Sequence, residues 1–161
     1  MEQTPKKKKD RSIRPAILFV AIFALVVIIA VSIPLHRHRQ FIRFMSDLSS
    51  MTSRAGAKEM VECELDGETF LISSDAAYEV YSKLICSEMA KLVKPDEAIA
   101  ADGFTLNYGL LGAHITIAPT EYQGEHAVYA DYHSRDMDYT YIAPHLDYKD
   151  LSITVKNGRL P

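Results

Sequence analysis

The sequence predicts an α+β chain: an N-terminal single transmembrane helix and a juxtamembrane amphipathic helix, then a small domain of β-hairpin, helix and antiparallel β-meander. Three observations carry this. Residues 16–35 hold no charged side chain. In Val61-Glu62-Cys63-Glu64-Leu65 apolar residues alternate with carboxylates and run into Asp66-Gly67, a dipeptide favoured in two-residue hairpin turns. Short segments of period two then recur from residue 104 onward, separated by turn residues, as in sequential antiparallel strands. The predicted parts are a basic tail (1–14), a transmembrane helix (15–35), a juxtamembrane helix and linker (36–58) and an α+β domain (59–161).

The span is argued from length. Twenty residues at about 1.5 Å rise make a helix of roughly 30 Å, the thickness of the hydrocarbon layer. A cleaved signal peptide is the rival reading, and Ala30-Val31-Ser32 offers a small-residue site for it. Apolar cores of signal peptides run to about 7–15 residues. Here residues 16–30 already fill that length before the site, and Pro34 would stand just past the cut. Length therefore favours an uncleaved signal-anchor. Before the span lie Lys6, Lys7, Lys8, Lys9, Arg11 and Arg14; soon after it lie Arg37, Arg39 and Arg43. The richer side tends to stay in the cytoplasm, which predicts a cytoplasmic N-terminus and an extracytoplasmic C-terminal domain in the cell membrane.

The net charge of −3 conceals two opposite parts. Residues 1–54 hold ten basic and three acidic residues, giving +7; residues 55–161 hold eight basic and eighteen acidic, giving −10. A surface that acidic argues against nucleic acid, whose phosphates need basic contacts, and against adsorption to an anionic bilayer. About 100 residues suffice for one domain with a modest core.

Each element has its own justification. From His36 to Arg54, Phe41, Phe44, Met45, Leu48 and Met51 recur at helical spacing, with Arg39, Arg43, Ser46, Asp47 and Ser50 opposite. This helix is expected to continue the span and pack on the domain; lying in the interface or pairing with a partner helix are the alternatives. The Asp66-Gly67 turn sets the hairpin register, pairing Leu65 with Glu68, Cys63 with Phe70 and Val61 with Ile72. A helix is expected from about Asp75 to Val93, with Ser74 as N-cap and Pro95 beyond its end. Its apolar face would carry Ala77, Tyr81, Leu84, Ile85, Met89 and Leu92, with Glu88 among them and Cys86 on the polar side. Strands are expected at 104–108, 113–117, 128–133, 139–143 and 151–155, with turns at 109–112, at Pro119 and at Gln123-Gly124. One apolar sheet face suits a single covering helix.

Candidate chemistry is sparse. Cys63 should face the core and Cys86 away from it, so a bridge is not expected. His114, His126, Asp131, His133, Asp136, Asp138, His145 and Asp147 could ligate a metal, but no diagnostic spacing occurs among them. Asp136-x-Asp138 begins like a calcium loop, yet Tyr141 stands where Gly is required. Glu88 in an apolar setting is a candidate raised carboxylic acid. No Gly-x-Ser-x-Gly elbow is present, and no cofactor is implied. The binding candidate is one sheet face: Tyr129, Asp131 and His133 alternate outward from Val128, Ala130 and Tyr132, and His114 points the same way on the preceding strand. Such a polar, aromatic face suits a protein, peptide or glycan. The expectation is a membrane-anchored, non-catalytic interaction domain whose partners are the bilayer and a membrane or envelope protein. A hydrolase or metal-dependent enzyme using the His and Asp groups of the meander, and a small-ligand sensor, are the competing classes.

Overall fold

The computed structural model describes residues 13–58, 61–87, 89–109 and 112–161. Residues 1–12 of the basic tail and Glu88 lie outside these. The element order is α1 (Ile13–Lys58), β1 (Val61–Leu65), β2 (Glu68–Ile72), α2 (Ser74–Cys86), β3 (Lys91–Leu92), α3 (Glu97–Ala100), β4 (Phe104–Asn107), β5 (His114–Tyr122), β6 (Glu125–His133), β7 (Asp138–Pro144) and α4 (Tyr148–Asn157). The chain divides into two units, Met1–Arg39 and Gln40–Pro161.

In the first unit, the 17–35 stretch of α1 is apolar on all sides. From Ile17 to Leu35 its large apolar residues are 44–71% exposed. A helix of this length and surface is compatible with a single membrane span or signal-anchor. It continues through Pro34.

The second unit begins inside the same helix. Phe44, Leu48, Met51 and Ala55 are buried, each one helical turn from the next. The Phe44 ring stacks on Tyr139 at 5.0 Å and meets Tyr132 and Tyr141 edge-on at 5.4 and 5.3 Å. Asp47 is tied to the sheet as well: the Tyr132 hydroxyl and Ser134 Oγ both donate to its Oδ2, at 2.9 and 2.7 Å. Residues 40–55 are thus part of the domain core, the first of the three packings considered for them.

The sheet has seven strands in the order β2-β1-β4-β5-β6-β7-β3, antiparallel at every pairing. The hairpin register is the expected one, Leu65 with Glu68, Cys63 with Phe70 and Val61 with Ile72. Asp66 and Gly67 both take positive φ, 56° and 78°, as a turn matching strand twist requires. The inner face carries Val61, Cys63, Leu106, Ile115, Ile117, Ala130, Tyr132, Tyr139 and Tyr141, which join residues of α1, α2 and α4 in one buried cluster. Three helices therefore cover this face, where the sequence suggested one.

Four expectations are corrected. Residues 151–155 are helical, in α4, although Leu-Ser-Ile-Thr-Val alternates like a strand. Asp147 caps the helix by accepting from the Lys149 N–H, and Leu151 and Val155, four apart, bury together. The helix expected to reach Val93 ends at Cys86. Ser87 turns extended, and Ala90 and Val93 donate backbone hydrogen bonds to Ile142 and Thr140 of β7. The cap is Ser73, whose Oγ accepts from the Ala76 N–H, and not Ser74. Pro119 lies within β5, beyond the last pair of β4 with β5 at Ile117. Its missing N–H therefore faces no strand on that side.

Candidate functional site

The outer face of the sheet brings the sequence-predicted residues together. Cross-strand register places Asn107, His114, His133 and Asp138 in one row and Thr105, Thr116, Asp131 and Thr140 in the next. Side chains directly opposite on neighbouring strands lie about 5 Å apart, so the rows form a compact polar lattice. Glu62 and Glu64 of β1 extend them, opposite Asn107 and Thr105.

His133 links the two rows. Its Nδ1 lies 2.9 Å from Asp138 Oδ1 and its Nε2 lies 3.2 Å from Asp131 Oδ1. Two carboxylates on two ring nitrogens suit the doubly protonated imidazolium, in which both nitrogens donate. Burial opposes that charge, but the hydrogen bond that His133 donates to Asp138 and the nearby Asp131 carboxylate prevail and hold His133 above the ordinary histidine value. His114 stacks on it with ring centroids 5.0 Å apart. Burial, and then the charge of His133, push His114 the other way, below the usual range, against a weaker pull from Asp131 and Asp138. Two adjacent imidazoles are thereby shifted in opposite directions. Asp131 is itself buried, and its Oδ1 accepts from Thr140 Oγ1 at 2.7 Å. Thr105 and Thr116 hydroxyls share a hydrogen bond of 2.9 Å.

Tyr129 lies on the same face, but it is 1% exposed. Its hydroxyl accepts from the Asp96 N–H at 2.6 Å, the residue that caps α3, and burial raises its pKa. The expected outward ring is corrected to a buried support for the 96–100 segment, which covers one end of this face. Asp138, by contrast, belongs to the patch although a strand beginning at 139 left it out; its register partner is His133. Glu88 falls outside the described residues. Cys63 is buried and Cys86 exposed, and both are free.

Chemically the lattice offers fixed hydrogen-bond donors and acceptors on rigid strands. With both ring nitrogens engaged, His133 in this arrangement is neither an open metal ligand nor an unoccupied general base. Among the described residues no group of His, Cys, Asp and Glu is placed to hold a metal ion. A cavity of about 670 Å³ lies beside the patch, between α1 and the β6–β7 turn; Arg43, Asp47, Asp136 and Asp138 are among its lining residues. Comparison with protein-family models, with well-characterised proteins and with solved structures gave no match.

Proposed function

We propose that this chain is a single-pass membrane-anchored interaction protein. The apolar stretch of α1 acts as an uncleaved signal-anchor with the N-terminus in the cytoplasm, and the α+β unit works outside the cytoplasm. It binds a membrane or envelope protein through the outer face of its sheet, and binding rather than chemistry is its role. The observation that carries this reading is the asymmetry of the sheet. Three helices bury the inner face, while the central strands hold His114, Thr116, His133 and Asp138 in fixed rows on the other. Rigid polar side chains on a broad face suit a macromolecular partner better than an enclosed small ligand.

The test is a photoreactive residue at Asn107, within the face, and another at Ile153 on α4, in the full-length protein in native membranes. A discrete adduct with a membrane or envelope protein from Asn107, and none from Ile153, is expected. Equal capture at both positions, or none from Asn107 in a folded protein, overturns the reading. Protease added to sealed cells should remove residues 59–161 and spare the tail; protection of the domain until the membrane is broken reverses the orientation. A mature chain beginning at Ile33 would remove the anchor.

A further inference from the structure

We infer that the outer sheet face takes a cationic, extended segment of its protein partner, and that protonation of His114 weakens the hold. This rests on the reading of that face as an interaction surface and adds the chemistry of what it binds.

The two rows reach from β1 to β7, five strands at about 4.8 Å spacing, or roughly 19 Å. They carry three exposed carboxylates, Glu62 and Glu64 on β1 and Asp138 on β7, with the buried Asp131 of β6 beneath. One imidazole, His133, stands among them, held between Asp131 and Asp138. β4 contributes only Asn107 and Thr105 to these rows, and β5 contributes His114 and Thr116. From the covering elements, Lys91 of β3 lies at the far edge beside Ile142, while Asp96 and Glu97 of α3 add acid at one end. Glu62 and Glu64 are exposed and have no ion-pair partner among the described residues. The basic residues of the C-terminal segment go to other acids: Lys156 to Asp66 and Arg159 to Glu68, at 3.0 and 2.9 Å. The exposed part of the face is therefore acidic and carried on paired strands, and its charge complement is a Lys- or Arg-bearing segment. Nucleic acid and anionic lipid carry the wrong sign.

His114 stands in the middle of the row, stacked on His133, whose two carboxylate contacts favour its protonated form. The neutral His114 ring leaves the acidic field intact. Its protonation places a positive charge beside His133, in the middle of the row. That offsets one carboxylate and repels a bound cation, an effect of about three- to fivefold in affinity for a single charge pair near contact in water.

The experiment uses the full chain in nanodiscs of zwitterionic lipid and a fluorescein-labelled decapeptide of alternating Lys and Ser, read by anisotropy. The expected result is saturable binding at pH 7.5 that falls at least fivefold in Glu62→Gln/Glu64→Gln and is unchanged in the acid-matched control Glu121→Gln/Asp150→Asn. Binding should weaken as the pH is lowered from 7.5, and His114→Asn should reduce that pH step. Imidazole NMR signals of His114 and His133 should move on peptide addition, a readout that needs no variant. The inference is overturned if the decapeptide does not bind, if the control pair weakens it as much as the patch pair, or if a Glu-Ser decapeptide binds equally well. Capture of a partner from Asn107 through a segment lacking basic residues would end the cationic reading and leave the interaction reading standing. Failure of both capture and peptide binding would end both.

Discussion

Replacing Phe44 with Ala tests whether the second half of α1 belongs to the folded domain. The ring is fully buried. It lies 5.0–5.4 Å from the rings of Tyr132, Tyr139 and Tyr141 on three different positions of the inner face. A buried Phe→Ala change costs about 3–5 kcal/mol, a range that includes transfer and cavity terms, and lost ring pairs place it in the upper half. Against a whole-domain stability of about 5–15 kcal/mol, that is a large fraction. At roughly 4 °C per kcal/mol for a unit of this size, melting should fall by about 15 °C. The assay is near-UV circular dichroism of the full chain in detergent micelles. All nine tyrosines lie between Tyr78 and Tyr148, so the tyrosine signal reports the domain and ignores the apolar helix. Phe44→Leu keeps bulk and loses the stack, and should fall by about 1–2 kcal/mol. Ile42→Ala, on the same helix and 50% exposed, should change stability by less than about 0.5 kcal/mol. If Phe44→Ala behaves like Ile42→Ala, residues 40–55 are a linker and the packing described for them is wrong.

Other outcomes follow from particular contacts. Burial, and then the Glu64 charge, push the Cys63 thiol up to about 12; a thiol reagent should therefore label only Cys86 in the native protein, and mass mapping checks the site. Gly103→Ala should destabilise the domain by about 1–3 kcal/mol, because a Cβ there would run into the Ile117 carbonyl and the Ala118 side chain, measured by the same melts. Because the folded state holds His114 below its ordinary value, the unfolded chain binds more protons just below about pH 6.5 and stability falls as pH drops through that window. His114→Asn should remove this acid limb. His133 has the opposite sign: held above its ordinary value, it stabilises at low pH and loses that contribution as pH rises through the raised value, so His133→Gln should flatten the neutral limb. Melts from pH 5 to pH 8 separate the two, and parallel wild-type and variant curves would refute the assignment.

What was legible in the sequence was local or periodic. The Asp66-Gly67 hairpin could be read with its register because turn type and alternation act within ten residues of chain. The Phe41–Met51 stripe was readable because 3.6-residue spacing survives in any context that buries one side. The missed features depend on distant partners. Leu151 to Val155 alternates like a strand and becomes a helix because an Asp147 cap and two residues four apart outweigh β-branched propensity. The end of α2 unwinds because β7 has an edge that Ala90 and Val93 can satisfy; nothing in residues 87–93 announces that edge.

The candidate patch divides along the same line. Alternation sorts residues into two faces, and His114, Tyr129, Asp131 and His133 do share one. Period two carries phase, however, and says nothing of cover. Cover on this face comes from α3, a four-residue helix too short to show a period, capped by Asp96. It buries Tyr129, the largest side chain of the expected surface, through a hydrogen bond to the Asp96 backbone. The face is left with imidazoles and carboxylates in place of an aromatic anchor. The proposed partner would therefore be held there by charge and hydrogen bonding, which set partner sign and pH response, and not by the apolar burial that an exposed tyrosine would have supplied.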